Sequence, residues 1–344
     1  MKVAELETGN EEALIGSLEY DAASIGPGGN VYVATDSWAG VHEFDSTGKW
    51  VQNIGGEGHG PGEYQQVRFI STSRANQLII YDDIGRVNIL EQSGVFSHSF
   101  RYMINAAPET RIASAGENRF WTLNWPLTMQ IVQKGEDLIL LTSEGDTLQV
   151  YRFPDSEPEM AVESEGRNVN KPNPAVGALK WTLSPDGDAW VLTPGGEFLV
   201  RIPSEGGEPD SLSVRSFPMS FTDEQWAQIR EAETAVLREV SFLNSWVEPT
   251  EDALDELRDT WSPVQRMWWV DGSGILVDRM TPSYPSIQHG SWRYTALLPD
   301  GRMTMDVEGP SGLLTAAFGY ALTVSSEWLE LPKLTLWRLE QIGR

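Results

Sequence analysis

The sequence predicts an all-β fold, a six-bladed β-propeller made by one domain that spans residues 1–344. Three observations lead to this prediction. A unit of short alternating strands separated by Gly- and Asp-containing turns occurs six times along the chain, at intervals of about 30–50 residues, which is the period of propeller blades. The last unit lacks a strand, and the N-terminal residues offer a spare one. Hydrophobic residues make up 40% of the chain and include 14 Trp, enough for a large core.

The repeated unit is clearest in residues 24–55. A short apolar segment there is followed by a Gly-rich turn, the alternating strand Val31–Ala34, a second strand Val41–Phe44 and a turn that ends at Gly48. Gly, Asn and Asp occupy the turns because they accept positive φ at low cost. The same pattern returns in residues 68–102, 111–153, 180–217, 264–308 and 312–340.

The two ends of the chain are expected to meet in one blade. The unit at 312–340 runs out after two or three strands, whereas Val3–Glu7 alternates like a strand and has no unit of its own. We therefore expect Val3–Glu7 to form the outer strand of the last blade and to close the ring, since closure leaves only short edges.

Residues 218–262 interrupt the strand pattern between blades four and five. Thr222–Gln225 has the form of a capping box, and Trp226 and Leu237 follow on one helical face. Thr250 begins a second helical pattern that includes Leu254. The segment is predicted to be an inserted helical hairpin, either a packing decoration or a lid over the channel.

Residues 28–70 resemble an NHL repeat. The resemblance is carried by Gly29–Ala34, Phe44–Lys49 and the Gly-rich string Gly55–Tyr64. It implies the six-bladed propeller fold of similar bacterial proteins, many of them exported, and therefore an extracytoplasmic (periplasmic or secreted) location. Met1–Glu7 contains no apolar leader, so the sequence by itself leaves the cytoplasm open.

Charge and composition exclude several classes of function. The chain has 50 acidic and 25 basic residues, a net charge of −25, which disfavours nucleic acid as a partner. No run of 18 apolar residues is present, so no membrane insertion is expected. The absence of Cys excludes thiolate catalysis and disulfides.

Long connections gather on one face of the predicted disc. In a propeller, the connection from an outer strand to the next inner strand lies on what we call the top face. The segments 55–64, 155–177 and 218–262 are connections of this kind, and the loop 279–292 within blade five reaches the same face. Binding residues are often carried by such loops on a rigid scaffold, so the top face is the expected functional face.

Basic residues recur where the predicted inner strands begin on the top face. These residues are Arg68, Arg111, Lys180 and Arg266, with Arg279, Tyr284 and His289 expected at the edge of the channel. Because guanidinium groups bind carboxylate and phosphate in bidentate fashion, this pattern predicts a ligand-binding site for a small anion. Internal ion pairs with acids such as Asp82 or Asp83 are the alternative.

The sequence predicts a non-catalytic binding propeller that recognises a small anionic ligand or a protein on its top face. The alternative is a lactonase-like or sialidase-like hydrolase or lyase at the same axial site. Neither a cofactor site nor a metal site is predicted, although an axial calcium ion would accompany the lactonase-like alternative. The segment Ser184–Trp190 is similar to a sialidase Asp-box, but Asp188 stands where that motif has Gly.

Overall fold

The computed structural model describes residues 1–8, 23–35, 38–91, 94–102, 112–116, 118–124, 127–128, 131–132, 136–153, 159–164, 167–172, 179–193, 198–214, 223, 226–227, 266–271, 274–278, 291–298, 302–310, 312–325 and 333–339. Within these residues the strands form six four-stranded antiparallel sheets and two additional two-stranded hairpins.

Each four-stranded sheet is one blade, and the strands of a blade run in order from the channel to the rim. The first strand of the chain is β1 (Lys2–Glu5). Blade one consists of β2 (Ala23–Ile25), β3 (Val31–Thr35), β4 (Trp38–Phe44) and β5 (Trp50–Ile54). Blade two consists of β6 (Val67–Thr72), β7 (Leu78–Asp82), β8 (Arg86–Leu90) and β9 (Phe96–Arg101).

Blade three carries a hairpin within it and another after it. Its four strands are β10 (Ile112–Ser114), β11 (Arg119–Asn124), β14 (Glu136–Thr142) and β15 (Thr147–Phe153). Between β11 and β14 lies the hairpin of β12 (Leu127–Thr128) and β13 (Ile131–Val132). A second hairpin, β16 (Glu159–Ser164) and β17 (Arg167–Pro172), precedes blade four.

The remaining blades follow the same order, except that the last one also uses β1. Blade four consists of β18 (Lys180–Leu183), β19 (Ala189–Leu192), β20 (Phe198–Ile202) and β21 (Asp210–Ser213). Blade five consists of β22 (Arg266–Val270), β23 (Gly274–Asp278), β24 (Ser291–Leu297) and β25 (Met303–Pro310). Blade six consists of β26 (Leu313–Ala317), β27 (Tyr320–Ser325), β28 (Lys333–Arg338) and β1. The prediction of an all-β propeller with six blades is confirmed.

Burial follows the position of a strand within its blade. Every residue of β7 and β8 is buried, because both faces of these middle strands pack against neighbouring blades. The outer strand β9 alternates between half-buried and exposed positions over most of its length. A strand that is buried on both faces requires a continuous apolar run, as in the middle of the blade. A strand that is buried on one face requires alternation, as at the rim.

Among the described residues, six apolar clusters hold the blades together, each formed by two adjacent blades. One joins blades three and four around Trp121 and Trp181, and another joins blades four and five around Trp190 and Met267. The cluster that joins blade six to blade one includes Leu314, Leu336 and Ile25. The other three lie between blades one and two, two and three, and five and six. The blades therefore pack around a complete ring, with their inner strands about the central axis.

The N-terminal strand lies in blade six. Ala4 pairs with Leu336 and Glu5 with Thr335 in an antiparallel register. The backbone N–H of Leu6 then donates to the carbonyl of Leu334 at 2.9 Å, and the side chain of Leu6 is buried in the cluster between blades six and one. The first residues of the chain thus contact both of the blades that meet there.

The predicted helical hairpin at 218–262 falls almost entirely outside the described residues. Of this segment the structure describes Asp223, Trp226 and Ala227, and Trp226 is buried with 5% of its surface exposed. Leu237 and Leu254 lie outside the described residues, so the hairpin stays a prediction. No helical segment in the described part of the chain has the length and apolar character of a membrane span.

Candidate binding site in the axial channel

Short turns join the inner strand of each blade to its second strand, on the face opposite the top face. We call this the turn face. In blades one to four the first turn residue donates its N–H to the carbonyl four residues on, as Ser73 does to Gln77 at 2.9 Å. The left-handed position in these turns is taken by Gly29, Asn76, Asn118 and Gly187. Gly and Asn are the residues that this conformation favours, so the sequence of each turn supports its own shape.

Contacts between blades fix the turns further. The indole N–H of Trp121 in blade three donates to the carbonyl of Gly187 in the turn of blade four, at 2.9 Å. A Cβ atom added at Gly187 would overlap the backbone of Ala115 in the turn of blade three. Neighbouring turns therefore lie against each other, which gives the turn face a fixed shape.

A cavity of about 600 Å³ occupies the turn-face half of the channel. All six inner strands line it, and so do turn residues from blades two to six. Aromatic walls come from Phe69, Trp268 and Trp269, and the polar groups are mostly Ser and Thr hydroxyls. Pockets for small molecules are usually of this size and have an apolar wall with a few polar groups.

The hydroxyls satisfy backbone groups at the exposed edges of the inner strands. Ser71 donates to the carbonyl of Ile112 in blade three at 2.6 Å, and Thr72 donates to the carbonyl of Ile25 in blade one at 2.6 Å. The hydroxyl of Thr182 accepts from the backbone N–H of Trp269 in blade five at 2.9 Å. Inner strands have no further strand to pair with, so these bonds replace a missing ladder and connect adjacent blades.

One ion pair crosses the channel at the turn face. Arg74 lies in the turn of blade two and Asp271 in that of blade five, the blade diametrically opposite. The guanidinium Nη2 lies 3.4 Å from each carboxylate oxygen, and the side chains are 53% and 36% exposed. A long and exposed pair of this kind contributes only about 0–1 kcal/mol to stability. The pair therefore adds little to the stability of the ring, and its main effect is to place two opposite charges at the channel opening.

The turn of blade six differs from the turns of blades one to four. Blade six uses a two-residue turn in which Phe318 has a φ of 51° and Gly319 a φ of 76°. A bulky residue with positive φ is uncommon and costs on the order of 1–2 kcal/mol. Phe318 is one of the residues that line the cavity, so this strained turn stands at the channel opening.

The residues proposed for an anion site stand at the opposite end of the same strands. Lys180 and Arg266 are the first residues of β18 and β22, and Arg68 is the second residue of β6. Lys180 is buried, whereas Arg68 and Arg266 are half-buried. Arg111 directly precedes β10 and lies outside the described residues, as do Arg279, Tyr284 and His289. The described cavity is lined by later residues of these strands, and none of the three described bases contributes to it.

Other residues that the sequence singled out have structural roles. His42 is buried, its Nδ1 lies 2.6 Å from Oδ1 of Asn53, and burial lowers the pKa of its imidazole. Asp188, at the Asp-box position, accepts from the backbone N–H of Ser204 at 2.9 Å and pairs with Arg201 at 2.7 Å. The contacts described for both residues connect neighbouring strands and turns of one blade.

The Gly-rich loop at 55–64 is a folded turn. Its Tyr64 is fully buried, and the backbone N–H of Gly60 donates to the Glu63 carboxylate at 2.7 Å. Arg86, from the third strand of blade two, donates to the carbonyl of His59 at 3.1 Å and to that of Gly60 at 3.3 Å. Because a cation binds the loop carbonyls, the loop is organised as a structural element.

Sequence comparison identifies the fold independently. Residues 6–105, which are 100 of the 344 residues, match a family described as a 6-bladed beta-propeller. The fold is that of a six-bladed β-propeller. Among curated proteins none matches the sequence.

Solved structures similar to this propeller include two from Bacteroides species. An exported-protein candidate from Bacteroides fragilis is 10% identical, with a TM-score of 0.55, and the match covers 98% of this chain and 94% of the other. A member of the duf4221 family from Bacteroides vulgatus is 9% identical, with a TM-score of 0.55 over 95% and 93% of the two chains. A streptogramin B lyase has a TM-score of 0.42 at 11% identity, over 94% and 95% of the chains. At such identities these similarities concern the fold alone.

The described residues do not form a metal centre. Among them no three His, Asp or Glu side chains are placed to hold one ion. Sequence reasoning missed Arg74, Asp271 and Phe318, which come together only because blades two, five and six meet at one opening. Their turns were recognisable as turns, but nothing in the sequence indicated that these three side chains share a cavity.

Proposed function

We propose that the protein is a binding propeller that takes a small molecule into its axial channel. The supporting observation is the cavity of about 600 Å³ that all six inner strands line. Its wall combines aromatic surface with polar groups on a rigid ring, which is the composition of a binding pocket. The best-placed hydroxyls, those of Ser71 and Thr72, donate to backbone carbonyls, an arrangement that favours binding over nucleophilic catalysis.

The top end of the channel is proposed to recognise an anionic group. Lys180 and Arg266 begin two inner strands, Arg68 is the second residue of a third, and Arg111 directly precedes a fourth in the sequence. With Arg279, Tyr284 and His289 at the edge, these residues would bind a carboxylate or phosphate. The alternative activity, a lactonase-like or sialidase-like hydrolase or lyase, would use the same axial site. Export from the cytoplasm is part of the proposal and can be tested by cell fractionation.

The central test blocks the cavity. A library of small anionic, zwitterionic and neutral molecules is screened by thermal shift against the wild-type protein, Ser114→Trp and Leu148→Trp. Ser114 lines the cavity, whereas Leu148 is 52% exposed on the outer strand of the same blade. Ligands of the channel should bind the wild type and Leu148→Trp but not Ser114→Trp. Equal binding to all three proteins would overturn the proposal.

The anion site has its own test. Arg266→Ala should weaken a carboxylate or phosphate hit by about 1.5–3 kcal/mol, the scale of a hydrogen bond to a charged group. Arg101→Ala, at an exposed position on the outer strand of blade two, is the matched control and should have no effect. Incubation with lactones, esters and sialosides, with and without a chelator, identifies turnover if the protein is an enzyme instead.

A further inference from the structure

The turn-face opening of the channel presents charges of both signs at fixed positions. Arg74 is the one basic side chain among the described residues that line the cavity, and Asp186 and Asp271 are the acidic ones. These residues stand in the turns of blades two, four and five. A ligand at this opening meets one guanidinium and two carboxylates, so a purely anionic or purely cationic ligand leaves part of the set unmatched.

The Arg74–Asp271 pair has the geometry of groups that a ligand can replace. Both N–O distances are 3.4 Å, and both side chains remain accessible to solvent. Charge-assisted hydrogen bonds in well-formed pairs are shorter, about 2.7–2.9 Å. A ligand with its own carboxylate and ammonium group could bind each partner at the shorter distance, so that exchanging the internal pair costs little.

The aromatic part of the opening is held at an energetic cost. In blades one to four the left-handed turn position holds Gly or Asn, whereas in blade six Phe318 has a φ of 51°. Backbone strain of this kind persists where the surrounding structure imposes it, and it concentrates at ligand-binding sites. Phe318 and Trp269 are both among the residues that line the cavity, so aromatic residues stand beside the mixed charges of the opening.

We propose that the turn-face opening binds a zwitterionic ligand with an aromatic or apolar side chain, a free amino acid or short peptide. The ligand's carboxylate contacts Arg74, its ammonium group contacts Asp271 and Asp186, and its side chain packs on Phe318 and Trp269. This inference rests on the proposed function, since it names the ligand class for the same channel. It also makes the two ends of the channel different sites, because the anion proposed for the top end needs no ammonium group.

The test uses ligands that differ by one charge. L-phenylalanine and the dipeptide Phe-Phe are each compared with their N-acetyl forms, which keep only the carboxylate, and their C-amide forms, which keep only the amine. Isothermal titration on the full chain should give the tightest binding for the zwitterions, and removal of either charge should weaken it at least tenfold. Arg74→Ala should abolish the preference for a free carboxylate, and Asp271→Asn the preference for a free amine. Arg101→Ala and Asp210→Asn, both at exposed outer-strand positions, should change neither.

The outcomes separate this inference from the general function. If the blocked-cavity screen yields channel ligands but the acetyl or amide forms bind as well as the zwitterions, the zwitterion proposal is wrong and the channel proposal stands. If neither zwitterion binds, the zwitterion proposal is also overturned, and the Ser114→Trp comparison decides the proposed function separately. Because the side chains of Arg74 and Asp271 are both accessible to solvent, circular dichroism should show that their variants fold normally. A variant that does not is replaced by Arg74→Gln or Asp271→Ser.

Discussion

Blade two is one continuous segment of chain, whereas blade six is assembled from both ends of the chain, and the two blades depend on different interactions. In blade two each strand follows the previous one through a short turn, with Asn76 and Gly94 at left-handed positions. In blade six β28 would form an exposed edge without β1, and the inner turn carries the strained Phe318. Both inner turns supply residues to the same cavity, so the comparison concerns stability and binding together. The continuous blade owes its shape to local turn chemistry, and the assembled blade depends on contacts across the whole length of the sequence.

Removal of residues 1–8 should have the largest effect. The truncation deletes β1 and the buried side chain of Leu6, and it exposes the edge of β28. Losing a buried Leu side chain alone costs about 2–5 kcal/mol, so the free energy of unfolding should fall by at least that amount. Urea denaturation measures this fall in the free energy of unfolding. Val3→Ala, at a position 40% exposed, is the control, and an unchanged midpoint after truncation would show that blade six is stable without β1.

A single methyl group at Gly48 should reproduce part of that effect. Gly48 has a φ of 84° in the turn between β4 and β5, and an added Cβ would overlap the backbone oxygen of Glu5. Gly94 occupies the corresponding turn of blade two with a φ of 75°, but an added Cβ there would meet the side chain of Ile54 at 3.3 Å. Both Gly→Ala variants incur the strain of positive φ, on the order of 1–2 kcal/mol. Only Gly48→Ala also displaces β1, so thermal denaturation should show a larger loss for it than for Gly94→Ala. Equal losses of stability in the two variants would mean that β1 moves away from residue 48 at no cost in free energy.

The strain at Phe318 predicts a change in the opposite direction. Gly accepts positive φ without steric cost, so Phe318→Gly should raise the free energy of unfolding by about 1 kcal/mol while it weakens ligand binding at the turn face. Asn76→Gly in blade two should change stability by only a few tenths of a kcal/mol, since Asn already tolerates that conformation. Chemical denaturation of both variants gives the comparison. A clear loss of stability in Phe318→Gly would show that the packing of the ring outweighs the strain.

The sequence predicts the parts of this fold that depend on local pattern, and it fails where residues distant in sequence meet. The alternation around Val31–Ala34 indicates a strand, and turn residues such as Gly48 indicate a turn, from the local sequence alone. The six units and most blade bounds can therefore be recognised. The Arg74–Asp271 pair joins positions 197 residues apart in opposite blades, and no local pattern reports it. Phe has no preference for turn positions with positive φ, so the residue type at position 318 does not indicate the backbone strain there. The cavity arises from short side chains such as Ser71 and Thr182 at the inner edges, and its position at the turn face depends on how six blades meet.

The smallest expected effect is a pH dependence that separates blade two from blade one. Asp82 at the end of β7 is fully buried, and burial raises the pKa of its carboxyl group, although the N–H and the positive charge of Arg86 oppose the shift. A folded state that raises the pKa of an acid holds more protons than the unfolded state between the two pKa values. Stability from this group is therefore present at low pH and is lost as the pH rises from the usual range of an aspartate through the raised value. Asp82→Asn keeps the oxygen that accepts from the N–H of Arg86 at 2.8 Å and should remove this loss.

Asp45 in the turn of blade one supplies a control of opposite sign. Its carboxylate accepts from the backbone N–H of Thr47 at 2.8 Å, and bonds from Thr47 and Lys49 lower its pKa although desolvation opposes them. Stability from Asp45 is therefore present above the usual pKa of an aspartate and is lost as the pH falls through the lowered value. Melting temperatures of the wild type and both Asn variants between acid and neutral pH give the test. Relative to the wild type, Asp82→Asn should gain stability as the pH rises, and Asp45→Asn should lose it. If the two differences run in the same direction, the burial of Asp82 does not set its titration, and the carboxylate is stabilised in blade two by contacts beyond the N–H of Arg86.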